Sequence, residues 1–175
     1  SIVNSDNRLV ANAARFRWER LLAGWVSPQQ RGFLPGRSML ANIIEIDFEA
    51  MRISLKGDNG DPEGAIILFD FAAAFPSLSH RFLLQSLQHI GLPSSAITLI
   101  TALYDNNHCE VSLQGARYPG FDMKSGIRQG CPLSPLLFVV VVDSLLRCLM
   151  KLLPHDLPTA YAADTELGGE NLNND

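Results

Sequence analysis

The sequence is poor in cysteine and in charge and has no long apolar run, and each shortage removes a class of protein. Its three cysteines, Cys109, Cys131 and Cys148, are odd in number and lack CxxC spacing, so neither a disulfide framework nor a zinc site is suggested. The longest apolar stretch, Leu136 to Val142, falls far short of the roughly 20 residues that span a bilayer. Ser1 to Arg17 holds no apolar run of signal-peptide length. These readings favour a soluble intracellular protein, of cytoplasm or nucleus, with no membrane partner. Apolar residues make up 47% of the 175 positions and charged residues 18%. That is ample material for a buried core and gives no sign of global disorder.

The formal net charge of −4 argues mildly against a nucleic-acid binder, so the distribution of charge matters. Ser1 to Lys56 carries eight Lys/Arg against five Asp/Glu, Gly57 to Glu110 one against six, and the remainder five against seven. The basic excess is therefore N-terminal, on Arg8, Arg15, Arg17, Arg20, Arg31, Arg37, Arg52 and Lys56. Such a split suits a protein with cations along a nucleic-acid strand and carboxylates where metal ions sit. A helix with a solvated arginine face fits the same numbers.

Ser5 is a plausible N-cap for a helix to about Gly24, with Leu9, Ala13, Phe16 and Leu21 on its apolar side. Ser27 to Arg37 is rich in Pro and Gly and reads as an ordered loop. Ser38 caps a second helix containing Leu40, Ile43, Ile44, Asp47 and Met51, and Gly57 to Gly64 (GDNGDPEG) is an exposed turn. The run Ala65 to Phe69 (AIILF) suits a strand buried on both faces. Ser79 opens a helix ended by Gly91, and Ser94 or Ser95 opens another to Tyr104. Val111 to Leu113 and Tyr118 to Met123 read as strands around Gly115. Pro135 suits the first turn of a helix through Leu153, where its missing N–H would be unpaired anyway. The valines from Val139 to Val142 pull that segment towards strand. Thr159 to Ala162 is a short final strand, and Gly168 to Asp175 a polar tail. Interleaved helices and few strands indicate one α+β unit.

Three segments carry convergent chemistry. In Ile67 to His80 (ILFDFAAAFPSLSH) an apolar strand ends in Asp70. A carboxylate there is costly unless it is paired or holds a metal, although strand-end aspartates also cap turns. In Ser125 to Phe138 (SGIRQGCPLSPLLF), Gly126 and Gly130 allow close backbone approach, while Arg128 and Gln129 supply donors. Ala160 to Thr165 (AYAADT) is a short strand turning at an acid.

The order DFAAAF, RQGCPLSP, YAAD is similar to motifs A, B and C of reverse transcriptases. Upstream, Gln30 to Ser38 (QRGFLPGRS), followed by Asn42–Ile43, resembles the QxGFxxGRS block of non-LTR, LINE-type enzymes. Group II intron maturases are the nearest confusable relatives. The resemblance covers Ser1 to about Thr165, so 1–167 is expected to be a partial reverse transcriptase domain and 168–175 a disordered tail. It implies a right-hand polymerase with fingers and palm, a small antiparallel sheet packed against helices, and no thumb. It also implies an RNA or DNA template, a DNA primer and deoxynucleoside triphosphates, with no protein partner suggested. By the same resemblance Asp70 and Asp164 are the catalytic, metal-holding carboxylates for two Mg²⁺ ions. Phe71, Phe75, Arg128, Gln129 and Gly130 would hold the nucleotide, with Phe75 as the gate against a ribose 2′-hydroxyl. Phe75 read without the motif is a core aromatic. Arg37, with Gly36, would contact the template backbone.

One position departs from the pattern. Motif C in this family reads YADD, whereas here Tyr161, Ala162, Ala163 and Asp164 follow one another. Ala163 stands where the first acid belongs, so the resemblance implies an enzyme whose activity is impaired or lost. Two further readings are a nucleic-acid-binding remnant without catalysis and an inert pseudogene product. SIVN at the start resembles the stretch just after the family's RPIS-like fingers segment.

Overall fold

The computed structural model describes residues 5–57, 64–154, 157–161 and 164–169. Its elements are α1 (Ser5–Trp25), α2 (Met39–Gly57), β1 (Ala65–Phe69), α3 (Ala74–Ser77), α4 (His80–His89), α5 (Ser94–Tyr104), β2 (His108–Leu113), β3 (Ala116–Asp122), α6 (Ser134–Leu152), β4 (Leu157–Tyr161) and β5 (Asp164–Gly169). This is the α+β unit expected, a small antiparallel sheet packed against helices.

α6 is the centre of the molecule. Leu136 to Val142 is buried without interruption, so this helix presents an apolar surface on all sides. The four valines cost helix propensity, which burial among α1, α4 and β4 overrides. Leu83 and Leu87 of α4 and Ile100 of α5 complete the core, all at 0% exposure. Ser79 caps α4, its hydroxyl accepting from the Phe82 N–H. Gly91, with φ of 84°, takes the left-handed turn that ends the helix.

Three features differ from the sequence reading. The packed side of α1 is Ala11, Ala14 and Leu22 with Trp18 and Trp25, whereas Leu9, Phe16 and Leu21 face outwards. Small alanines let α1 approach α6 closely, and that contact overrode the bulkier apolar stripe. β1 is not covered on both faces, since Leu68 is 68% exposed. It is an edge strand of a three-stranded sheet ordered β1-β5-β4. Residues 168 and 169 are not tail but the end of β5, opposite Ile66 and Ala65. The remainder of the expected tail, 170–175, and the expected turn at 58–63 lie outside the described residues.

β2 and β3 form a separate hairpin, in which Gln114 and Gly115 both have positive φ, at 50° and 82°. That pair of conformations matches the twist of a two-residue hairpin turn. No helix among the described residues is long and apolar enough to cross a membrane.

Candidate active site

The sheet brings the two acidic segments side by side. Phe69 pairs with Thr165 across β1 and β5, and Tyr161 pairs with Asp164 across β4 and β5. Asp70 follows Phe69 and Asp164 precedes Thr165, so the antiparallel register sets their backbones at the same end of adjacent strands. The Asp70 side chain is exposed, with no hydrogen-bond or ion-pair partner among the described residues. Ala162 and Ala163 lie outside those residues.

Four rings meet beside this strand end, one from each sequence block. Phe75 stacks on Phe138 of α6 at 4.6 Å between centroids and an interplanar angle of 14°. Phe33, from the QRGFLPGRS loop, lies edge-on to Phe75 at 6.3 Å and tilted to Tyr161 at 6.2 Å. Offset and edge-on pairs each add about 0.5–1.5 kcal/mol beyond burial. Phe33 holds this place at a φ of 53°, a conformation uncommon outside glycine. Phe75 is thus half-buried between the two readings given to it, with one face stacked on the core. Phe71 is 39% exposed beside Asp70.

The glycine-bearing loop before α6 is stitched to the segment after Asp70. Gly126 N–H donates to the Leu78 carbonyl at 2.8 Å and Ile127 N–H to the Phe75 carbonyl at 2.9 Å. Gly126 has a φ of 91°, and a Cβ there would sit 3.1 Å from the Pro76 carbonyl oxygen, so this close crossing requires glycine. His80 Nε2 meets the Gly126 carbonyl at 2.8 Å. Arg128 donates through Nη2 to Asn107 Oδ1. Gln129 and Gly130 are exposed at the turn, with Gly130 at a φ of 82°. Tyr104 is buried beneath this loop, its hydroxyl 3.2 Å from Ser134 Oγ. Burial raises the phenol above its usual value, and the Ser134 hydroxyl and nearby Arg128 pull the other way.

Arg37, expected on the template, is engaged within the chain. Its Nη2 donates to the Ala23 and Val26 carbonyls at 2.7 and 2.9 Å, and its Nη1 to those of Ser27 and Gln30. All four Nη–H groups are therefore engaged internally, tying the end of α1 to the loop. Burial pushes its guanidinium below the usual value; Asp143 opposes that and Arg31 adds to it. Gly36, at a φ of 74°, turns the chain so that Arg37 faces inwards. The loop also joins the sheet: Arg31 N–H donates to the Ala160 carbonyl at 2.8 Å, and Ala160 N–H to that of Gln29 at 3.0 Å.

Asp143 escaped the sequence reading. It is fully buried in α6, accepting from Ser27 N–H at 3.0 Å, from the Ser27 hydroxyl, and from Arg147 Nε at 2.7 Å. Arg147 lies 4.4 Å above the Trp25 ring. An acid alone in the run VVVVDSLL was the available signal, because such a group must find partners.

Comparison with known proteins agrees with this geometry. Residues 1–172 match the family described as reverse transcriptase (RNA-dependent DNA polymerase). The chain belongs to that family, on its non-LTR, LINE-type side. It is 34% identical over 122 residues to the retrovirus-related Pol polyprotein from type-2 retrotransposable element R2DM of Drosophila melanogaster, covering 70% of this chain and 11% of that protein. It is 26% identical over 154 residues to the transposon TX1 uncharacterized 149 kDa protein of Xenopus laevis, covering 86% of this chain and 11% of that one. It thus spans about a tenth of the length of those relatives. The structure of apo telomerase from Candida tropicalis, truncated from its C-terminal domain, superposes with a TM-score of 0.52 at 13% identity. That superposition covers 93% of this chain and 35% of the telomerase chain. It shares a fold, in keeping with the fingers-and-palm arrangement. The match to 172 also runs past Thr165, where the motif resemblance had faded.

Proposed function

We propose that this chain is a polymerase domain that holds template, primer and deoxynucleoside triphosphate but has lost most of its capacity for nucleotidyl transfer. The observation that carries the reading is the meeting of four separated sequence blocks on the Phe33, Phe75, Phe138 and Tyr161 cluster. Around it, Arg128, Gln129 and Gly130 would hold the incoming nucleotide. Phe71 and Phe75 would bound the sugar, with Phe75 crowding a 2′-hydroxyl.

Asp70 and Asp164 are the carboxylates that would hold Mg²⁺. An exposed Asp70 without an internal partner, one residue beyond a strand paired to that of Asp164, suits one cation with an oxygen shell. A pair of ions needs a further shared carboxylate, and Ala163 has no oxygen to give. Among the described residues no group of three or more His, Cys, Asp or Glu side chains could hold a metal. With Ala163 in place of the shared acid, no two-metal step is assigned to this copy.

Retained binding has a specific support. Of the N-terminal arginines, Arg15 pairs with Glu19, Arg31 with Glu45 and Arg52 with Glu49, while Arg37 lies on carbonyls. Arg8, Arg17 and Arg20 remain exposed on α1, with no partner among the described residues. Phosphate contacts dominate nucleic-acid affinity, so losing a metal ligand need not abolish binding. Duplex binding should weaken steeply with salt, and substituting Arg17 and Arg20 together by alanine should reduce the log–log slope by about 2. Primer extension on the same preparation should be undetectable. A chain that shows no salt-dependent binding, or one that extends primers readily, refutes the proposal.

A further inference from the structure

We propose that Asn107 is a positioning residue for nucleotide binding: its amide fixes the direction in which Arg128 presents its guanidinium. The inference rests on the reading that Arg128 holds the incoming nucleotide, and it adds a residue that no sequence block contains.

Asn107 lies in the turn between α5 and β2, after Asn106, whose φ is 51°. Both ends of its side-chain amide are committed. Nδ2 donates to the Tyr104 carbonyl at 2.9 Å, and Oδ1 accepts from Arg128 Nη2. The amide is planar, so fixing Nδ2 on a carbonyl forces Oδ1 the other way, towards a donor. The Asn107 main chain is held as well, its carbonyl accepting from Met123 N–H at 2.8 Å. Arg128 has no other side-chain partner among the described residues. Its main chain is anchored separately: the Arg128 carbonyl accepts from Cys131 N–H at 3.3 Å, and the Gly126 carbonyl is held by His80.

The backbone of the loop thus has its own supports, while among the described residues the long Arg128 side chain is held by Asn107 alone. An unheld arginine samples many rotamers, and ordering it on ligand binding opposes affinity. Aspartate in place of Asn107 would set an oxygen against the Tyr104 carbonyl, and alanine would offer Arg128 nothing. Asparagine supplies a donor and an acceptor at the required separation.

The test is a double-mutant cycle read as equilibrium binding of a fluorescently labelled deoxynucleoside triphosphate with Mg²⁺ and a primer–template, alongside thermal unfolding. Asn107→Ala should raise the dissociation constant about fivefold to tenfold. Arg128→Ala should raise it at least as much, and adding Asn107→Ala to it should change nothing further. Asn107→Leu, which fills the site without an acceptor, is the second variant should the alanine protein melt early. If Asn107→Ala leaves affinity unchanged, or weakens it by the same factor with and without Arg128, the positioning role is wrong. If Arg128→Ala itself leaves affinity unchanged, or the unsubstituted chain shows no saturable binding, the underlying nucleotide reading falls instead.

Discussion

Removing the Asp143 carboxylate should destabilise the whole domain, although the residue lies in none of the sequence blocks. Asp143→Ala leaves the buried Ser27 N–H and hydroxyl without their acceptor and Arg147 without its counter-ion. Each buried unsatisfied group costs about 1–3 kcal/mol. The Arg147 side chain is 45% exposed, so its share is discounted for solvent screening. A total of roughly 3 kcal/mol results, at the lower end of the range for breaking a buried ion pair. In a domain of this size that lowers the melting temperature by about 6–12 °C. Asp143→Asn keeps an oxygen for Ser27 but turns its NH2 towards the Arg147 Nε–H, losing the charge and that half-exposed hydrogen bond, so its loss should be about 1–2 kcal/mol. Thermal unfolding by circular dichroism, on the three proteins at one pH, gives both numbers. Equal losses from the two substitutions, or less than about 1 kcal/mol from alanine, would show that the network is not what ties α6 to the end of α1.

Two other substitutions probe the loop before α6. Gly126→Ala places a Cβ against the Pro76 carbonyl at a φ of 91° and should cost about 1–3 kcal/mol, read by the same unfolding assay; an unchanged midpoint would mean the crossing is looser than described. Tyr104 predicts a pH dependence: its raised pKa means the unfolded chain loses the phenolic proton first, so stability holds below pH of about 10 and falls as pH rises above it. Tyr104→Phe should flatten that alkaline decline while lowering stability at neutral pH, and an alkaline limb that stays as steep assigns it to another group.

Most helices were legible in the sequence because their signals are local. Ser79, Gly91 and Pro135 mark helix ends by chemistry that acts within one turn. What escaped depends on partners distant in the chain. The buried side of α1 was misjudged because its alanines matter only through what they let approach, which periodicity does not encode. β1 was expected to be covered twice because a continuous apolar run signals burial but says nothing about strand order. β5 was missed since Glu166 to Gly169 has little strand propensity, and pairing on both edges forms it regardless. The candidate site divides likewise. Asp70, Phe75 and Arg128 were named from the resemblance of their blocks to motifs A and B, and their roles stay proposals. Asn107, His80 and Tyr104 support the Arg128 loop from other elements and belong to no block. Arg37 was named as a template contact, and its four internal carbonyl partners were not legible, because a motif arginine looks the same in sequence whatever oxygen it meets.

Under the proposed function, Ala163 is the residue expected to silence this copy. The direct measurement is primer extension with Mg²⁺ by a longer protein spanning the length of the relatives, carrying Ala163 or the Ala163→Asp change. A gain of several powers of ten is expected for the aspartate form, each power being about 1.4 kcal/mol of transition-state stabilisation. Equal rates would contradict it, and would make Asp164 the principal acid of the strand end with Ala163 a bystander.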